Sequence, residues 1–311
     1  MTVMIDSGII TIDTNFVRPM YAASHLILEG GDAAFIDVGT NHNVTLLLEE
    51  LERRDIDRGD VKYVFLTHVH LDHAGGAGKL IKKLPNAKLV VHPRGAKHMI
   101  EPKKLIASAE GVYGKELFKQ LYGNIEPVSQ EKIILAKDAE QIKMQDRSFQ
   151  LFYTEGHAKH HYCLYDELAN AVFSGDSFGM SFREFDTNKG EFIIPITSPT
   201  QFDPEEAHKA IDKILSYQPE AIYLAHYSKV VEIERLADDL HLALNKFVNI
   251  ALKHKQAKER AATIKLSIEN YILAKLTEHN YRETADDAKN YLSADMHVNA
   301  MGLDFWLTHK N

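Results

Sequence analysis

Several features that would point to an extracellular, membrane or nucleic-acid-binding protein are missing from this chain of 311 residues. Its one cysteine, Cys163, cannot form a disulfide within the chain, so a reducing compartment is expected. No run of about 18 consecutive apolar residues occurs, which argues against a membrane-spanning helix. Acidic residues outnumber basic ones by 44 to 36, and a formal charge of −8 argues against a surface for nucleic acid or anionic lipid. We therefore expect a cytoplasmic protein with neither kind of partner.

Histidine, in contrast, is plentiful at 17 residues, and one cluster follows directly on a predicted strand. The apolar run Val61–Leu66 leads into Thr67-His68-Val69-His70-Leu71-Asp72-His73. Three imidazoles and a carboxylate thus emerge where a strand ends, the place at which α/β sheets form their crevices. Imidazole nitrogen and carboxylate oxygen are ligands for Zn²⁺ and its first-row neighbours. The segment therefore predicts a metal site.

Three more candidate ligands each follow another predicted strand: His157, Asp176 and His226. If these strands are neighbours, their carboxyl ends bring all the candidates to one edge of the molecule. One cation takes three or four protein ligands, so seven candidates are enough for two cations.

The character of the sequence changes near Val231. Strands and helices are mixed before it, whereas only helical periodicity follows, which predicts a mixed domain with the candidate metal ligands at 1–231 and a helical region at 232–311. The segment 101–126 has helical pieces separated by glycines and contains several aromatic residues. It is interpreted as a packed helical insert, with a lid over the site as the alternative.

The metal motifs resemble those of the metallo-β-lactamase-fold superfamily in type and in chain order. The matching pieces are Thr-His-Val-His-Leu-Asp-His at 67–73, Gly-His at 156–157, Ser-Gly-Asp at 174–176, and His226. The resemblance implies an α/β fold built as a four-layer αββα sandwich with the metals at one edge, here with a C-terminal α-helical extension. It also implies the ligand sets: His68, His70 and His157 for one metal, Asp72, His73 and His226 for the second, and Asp176 as a bridge between them.

This resemblance implies a metal-dependent hydrolase whose cofactors are two divalent ions, Zn²⁺ in the first place and Fe or Mn as alternatives. A hydroxide shared by two cations attacks a carbonyl or phosphoryl centre, so no serine or cysteine nucleophile is needed. Asp72 is the catalytic candidate, because its carboxylate can also orient the nucleophile and carry a proton. His161 matches the second histidine of the family's Gly-His-Thr-Pro-Gly-His pattern and is expected to support a ligand. His160 takes the place of a glycine in that pattern and is expected to be exposed or packed.

The substrate is less well defined than the metal site. The connection after Asp176 contains the candidate substrate-binding residues Phe178, Phe182 and Arg183. For Arg183, ion pairing at the surface is the favoured interpretation, and a clamp for a substrate carboxylate is the alternative. The motifs are nearest to those of glyoxalase II-like and lactonase-like members, which makes a small ester, lactone or thioester the expected substrate. Ala-His-Tyr at 225–227 replaces the Gly-His-Glu typical of glyoxalase II, and this difference argues against a glutathione thioester.

Two other functions remain open at this point. Persulfide dioxygenases resemble the same motif but use one Fe²⁺, which His70, His157 and Asp176 would bind here. A non-catalytic sensor or regulator would keep the metal site and use the helical region for a partner. A small-molecule substrate and a homodimer are the expected associations.

Overall fold

A computed structural model describes residues 3–197 and 199–309. In these residues the first sheet has its strands in sequence order: β1 (Val3–Asp6), β2 (Ile9–Asp13), β3 (Ala23–Glu29), β4 (Asp32–Ile36), β5 (Val61–Leu66), β6 (Lys88–Val91) and β7 (Ile133–Leu135). Strands β1 to β4 are antiparallel to their neighbours, and β4 to β7 run parallel. The histidine cluster directly follows β5, which belongs to the parallel half of this sheet.

The second sheet is ordered β13-β12-β11-β10-β9-β8. Its strands are β8 (Gln141–Met144), β9 (Arg147–Tyr153), β10 (Tyr162–Asp166), β11 (Ala171–Gly175), β12 (Ala221–Leu224) and β13 (Ser228–Val230). Among the described strands of this second sheet, β11 and β12 are the one parallel pair, and the other neighbours are antiparallel. These two strands therefore end at the same edge of the sheet.

Most of the helices pack on the outer faces of the two sheets, and the last three of them follow the final strand in sequence. They are α1 (Val44–Arg53), α2 (Leu71–Ala74), α3 (Ala77–Ile81), α4 (Pro93–Ile100), α5 (Lys103–Tyr113), α6 (Lys115–Tyr122), α7 (Pro204–Ser216), α8 (Ile233–Lys253), α9 (Arg260–Glu278) and α10 (Ala285–His309). The start of α7 was predictable, because the Asp203 carboxylate caps it by accepting from the amides of Glu205 and Glu206. The helical periodicity of residues 75–84 predicts one helix, but the structure has two short helices, α2 and α3, at Leu71–Ala74 and Ala77–Ile81. The chain already turns helical at Leu71, and the amide of Gly76 donates to the carbonyl of Gly39, which separates α2 from α3.

Three apolar layers hold the sandwich together. In β5 the side chains alternate, so Val64 and Leu66 pack against the helices while Phe65 packs against the second sheet. Phe149 and Phe173 come from the second sheet to meet Phe65 between the sheets. The outer face of the second sheet packs on α7 to α10. The order helix, sheet, sheet, helix confirms the predicted αββα sandwich with C-terminal helices.

The helices α5 and α6 have a separate small cluster around Leu71, Phe118 and Tyr122. No residue of α5 is fully buried, so this helical insert packs lightly on the segment around Leu71, which carries the candidate metal ligands. The boundary between 231 and 232 falls between β13 and α8, but one apolar cluster includes residues from both sides, so the two-domain division stays a prediction. No helix in the described residues is long and apolar enough to cross a membrane.

Candidate metal centre

Three imidazoles converge where β5 and β9 end. Nε2 of His68 lies 3.0 Å from Nδ1 of His70, and Nε2 of His157 lies 3.0 Å from the same atom. His70 can present Nδ1 because its main chain is extended, at φ −64° and ψ 149°, just before α2 begins. Three nitrogen atoms thus point at a common centre, and Asp176 completes this group.

A second group lies beside the first and consists of Asp72, His73 and His226. Its three atoms form a nearly equilateral triangle. Nε2 of His73 is 3.3 Å from Oδ2 of Asp72, Nε2 of His226 is 3.4 Å from the same oxygen, and the two nitrogens are 3.3 Å apart. The structure therefore brings together all seven of the sequence-predicted ligands.

Asp176 stands between the groups and turns one oxygen to each. Its Oδ2 is 3.3 Å from Nε2 of His157, and its Oδ1 is 3.5 Å from Nε2 of His73 and 3.7 Å from Nε2 of His226. Oδ1 is buried and makes no hydrogen bond within the described residues. A buried carboxylate oxygen without a partner is costly unless a cation or another donor compensates it. This is the placement that a bridging ligand requires.

The donor set fits divalent metal ions. Tetrahedral coordination with bonds of about 2.0 to 2.1 Å places neighbouring ligand atoms about 3.3 Å apart. The two groups have separations of 3.0 to 3.7 Å between such atoms. Both contain imidazole nitrogen and carboxylate oxygen, the ligands that suit zinc, iron and manganese. The residues therefore fit the metals that the family resemblance implies.

The outer nitrogens of His68 and His226 have partners that fix which nitrogen is free. Oγ1 of Thr67 donates to Oδ2 of Asp37 at 2.8 Å, so Nδ1 of His68, at 3.1 Å, donates to Oγ1 of Thr67. Nδ1 of His226 donates to the main-chain carbonyl of Tyr21 at 2.9 Å. In both histidines the proton on Nδ1 leaves Nε2 with its lone pair facing the metal position.

His161 supports the site by a route that differs from the expected one. Its Nε2 accepts from the main-chain amide of Asp176 at 3.2 Å, and its Nδ1 lies 2.8 Å from Oγ1 of Thr154. It thus holds the main chain of the bridging residue rather than a ligating side chain. His160 was expected to be either exposed or packed. It is packed, with its ring stacked 6.3 Å from that of His68.

The charges of the site favour cation binding. Burial, followed by neighbouring imidazoles, lowers the pKa values of His68 and His157, which keeps both rings neutral. Burial also opposes the charged form of His73, but the carboxylates of Asp72 and Asp176 outweigh it and raise the pKa of His73. Burial likewise opposes ionisation of Asp72, yet His73 and His226 outweigh it and hold the Asp72 pKa low. The carboxylates that attract a proton to His73 would equally attract a metal ion.

The open side of the site is at Asp72. Its side chain is 21% exposed, whereas those of His73 and His226 are 1% and 6% exposed. A cavity beside His157 and Asp176 has a volume of only about 10 Å³, which is room for about one water. Among the seven candidate ligands, His70 and Asp72 are the two that are not fully buried, so the described residues leave the site open on their side.

The three candidate substrate residues lie in different surroundings. Phe178 is fully buried in the apolar cluster under the second sheet. The guanidinium of Arg183 is occupied by Ser181, whose carbonyl oxygen accepts from it at 2.8 Å, and by Asp186 at 3.3 Å. Phe182 is also buried, but its ring stacks 5.3 Å from Tyr21, which contacts His226. Phe182 thus lies near the metal ligands through Tyr21, and Arg183 lies near them through Ser181, whose amide donates to the carbonyl of His226. A substrate role for either residue stays a prediction.

Two supporting residues were missed in the sequence. Asp37 is 2% exposed, and its Oδ2 lies 3.6 Å from Nδ1 of His73. The signal for it was available, because Asp37 directly follows β4 and so lies at the same sheet edge as the ligands. Tyr21 gave no such signal, since it lies in the irregular connection between β2 and β3.

The fold and the site define a class of protein: an αββα sandwich with clustered histidine and aspartate ligands for metal at one edge. Residues 17–226, about two thirds of the chain, match the family model described as the metallo-beta-lactamase superfamily. The chain belongs to the metallo-beta-lactamase superfamily, whose members are generally metal-dependent hydrolases.

Individual relatives agree with this assignment. The metallo-beta-lactamase fold-containing protein ST1585 of Sulfurisphaera tokodaii is 31% identical over 169 residues, which are 53% of this chain and 59% of that protein. A hydroxyacylglutathione hydrolase of Francisella tularensis is 26% identical over 205 residues, 61% of this chain and 68% of its own length.

Solved structures extend the similarity of the fold to nearly the whole chain. The crystal structure of ST1585 from Sulfolobus tokodaii covers 96% of this chain and 99% of its own, with a TM-score of 0.66 and 23% identity. The metallo-beta-lactamase family protein TTHA1429 from Thermus thermophilus covers 97% and 94%, with a TM-score of 0.69 and 16% identity. At these identities the similarity shows the fold alone.

Proposed function

We propose that this protein is a binuclear metallohydrolase that cleaves a small ester, lactone or thioester. The observation that carries the proposal is the placement of Asp176 between two complete ligand groups, with one carboxylate oxygen facing each. His68, His70 and His157 would hold one ion, and Asp72, His73 and His226 the other. Zinc is the proposed metal, with iron and manganese as alternatives for the same donor set.

When bound, the divalent ions would lower the pKa of a bound water towards neutrality and would stabilise the negative charge that develops on the electrophile's oxygen. The protein's own residues supply orientation and proton transfer. Asp72 is the ligand with an exposed carboxylate, and its pKa is held low, so at neutral pH it can accept a hydrogen bond from the attacking water. The buried imidazoles of His68 and His157 exclude bulk water from the other side.

Two findings support a carbonyl substrate. A relative with 26% identity is a hydroxyacylglutathione hydrolase, named for an acyl derivative of glutathione. The protein is also acidic overall, at a formal charge of −8, which disfavours polyanionic substrates such as nucleic acid. A small-molecule substrate is therefore proposed as the main partner.

The completeness of the second group favours this proposal over a dioxygenase with one iron. That alternative needs only His70, His157 and Asp176, and it gives no reason for Asp72, His73 and His226 to form a triangle of 3.3 to 3.4 Å beside them. No specific feature of the described residues favours the sensor alternative.

Turnover of a panel of lactones, thioesters, simple esters and phosphodiesters tests the proposal. We expect hydrolysis of at least one carbonyl class, and a loss of at least about 100-fold in kcat/KM for Asp176→Asn, because both ligand groups lose their shared carboxylate. Asp286→Asn is the matched control, since the same change occurs there at a side chain that is 89% exposed. Full turnover by Asp176→Asn, or activity on phosphodiesters alone, would overturn the proposal.

A further inference from the structure

The ligand His226 depends on a main-chain atom of a distant loop. Its Nδ1 donates to the carbonyl oxygen of Tyr21 at 2.9 Å, and the two rings meet edge to face at 5.2 Å between centroids. The hydrogen bond sets the tautomer that leaves Nε2 free, and the ring contact limits rotation of the imidazole. Because the acceptor is a main-chain oxygen, the geometry at His226 is only as fixed as the loop that carries Tyr21.

The loop between β2 and β3 is held on both sides of Tyr21, because Arg18 pairs with Glu184 and the amide of Ala23 donates to the carbonyl of Ala225 at 2.8 Å. The amide of Thr14 donates to the carbonyl of Ala22 at 3.0 Å, which closes the base of the loop. The hydroxyl of Tyr21 donates to Oδ1 of Asp295 at 2.5 Å, across 274 positions of sequence. The ring of Tyr21 also stacks on Phe182 at 5.3 Å. The side chain of Tyr21 therefore ties the loop to the C-terminal helix α10.

Asp295 is well placed to serve as this anchor. It is 8% exposed and lies on α10, one turn before Asn299. Asn299 fixes the helix to the connection that follows Asp176, because its Nδ2 donates to the carbonyl of Pro195 at 3.0 Å and its Oδ1 accepts from the amide of Thr197 at 2.8 Å. These hydrogen bonds fix α10, and with it the carboxylate of Asp295 that contacts Tyr21 in the loop between β2 and β3.

The carboxylate at this position is unfavourable for stability alone. Its Oδ2 is buried without a hydrogen-bond partner in the described residues, and desolvation of such a group costs free energy. A well-packed apolar pair would be at least as stable as a buried polar one. Because Asp295 accepts the hydroxyl of Tyr21, and the carbonyl of Tyr21 accepts from His226, the carboxylate can fix the position of Tyr21 and through it that of His226.

We propose that Tyr21 and Asp295 are positioning residues for His226, so that the C-terminal helix α10 completes the second metal-binding group. The inference rests on the proposed binuclear centre. It predicts that breaking the contact between Tyr21 and Asp295 weakens the ion held by Asp72, His73 and His226. The ion held by His68, His70 and His157 should keep its affinity.

Metal titration of the full-length protein with Co²⁺ and with Zn²⁺ tests this directly. Supporting partners of metal ligands contribute about 10- to 100-fold in affinity. Tyr21→Phe, which removes only the hydroxyl, and Asp295→Leu should each weaken the second ion by about 10-fold or more, and should alter the visible spectrum of Co²⁺ in that group. Asp295→Asn retains an acceptor for the hydroxyl, so its second-ion affinity should lie close to that of the unmodified protein.

The matched control is Tyr281→Phe, because that hydroxyl also donates to a carboxylate, Glu283 at 2.9 Å, but at an exposed position. Circular dichroism and thermal unfolding show which variants fold. Unchanged second-ion affinity in folded Tyr21→Phe or Asp295→Leu, or equal weakening of both ions, would overturn the positioning role. An unmodified protein that binds a single ion would instead overturn the binuclear proposal, so the two failures are distinguishable.

Discussion

His25 provides a prediction of how stability depends on pH. Its ring lies between the sheets, 5.3 Å from Phe173 and 5.4 Å from Tyr223, and its side chain is part of a residue only 2% exposed. Its Nε2 has no hydrogen-bond partner in the described residues. Burial lowers the pKa of His25 from 6.5 to about 3. The folded protein therefore keeps this ring neutral at a pH at which the unfolded chain binds a proton.

The sign and the size of the effect follow from that difference. A histidine whose pKa is lower in the folded state contributes stability above pH 6.5 and loses it as the pH falls. Between about pH 7.5 and pH 5 the loss amounts to about 2 kcal/mol, because the unfolded chain is protonated over most of that interval. His25→Leu removes the titrating group and should remove this part of the pH dependence.

Urea unfolding of both proteins at about pH 7.5 and pH 5 measures the difference. Any loss of metal at the lower pH affects both proteins and cancels when their pH dependences are subtracted. His297→Gln is the control, because His297 is exposed on α10. If His25→Leu and the unmodified protein lose the same free energy of unfolding between the two pH values, the account of His25 is wrong.

Two further predictions concern backbone space and buried charge. Gly175→Ala should lower metal affinity about 10-fold or more. Gly175 has φ +49°, and a Cβ there would lie 2.5 Å from Nε2 of His161 and 2.7 Å from Oγ1 of Thr67. Metal titration of the variant that matches the unmodified protein would contradict this prediction. Arg147→Met should reduce the free energy of unfolding in urea by about 3 to 5 kcal/mol, because it leaves the carboxylate of Asp166 buried and unpaired. A loss below about 1 kcal/mol would show that Asp166 is compensated by other groups.

The parts of the fold and the site that could be predicted are those encoded by short stretches of chain. The strand Val61–Leu66 was predicted with its correct bounds because its β-branched and aromatic residues end at Thr67, where the ligand motif begins. The start of α7 was equally clear, since Asp203 and Pro204 supply its cap and its first turn. The clustering of the metal ligands could be predicted because each ligand segment follows a strand, and the carboxyl ends of these strands lie at one edge of the sheets.

What could not be predicted depends on residues far apart in the sequence. Nothing near Tyr21 indicates that its hydroxyl meets Asp295, 274 positions away, because that contact arises only when α10 packs on the sandwich. The direction of side chains in the connection after Asp176 is set in the same way. Packing turns Phe178 into the core, although local sequence alone made it a reasonable substrate contact. For Arg183 the favoured interpretation was an ion pair, and the structure pairs it with Asp186 at 3.3 Å.

The metal content of protein purified without chelator is the most direct test of the central claim. Elemental analysis should find two divalent ions per chain, and Asp176→Asn should lose ions from both groups, because one carboxylate serves both. Zinc, iron or manganese at this stoichiometry is compatible with the donor set. One iron per chain, together with oxygen uptake on a persulfide, would contradict the account.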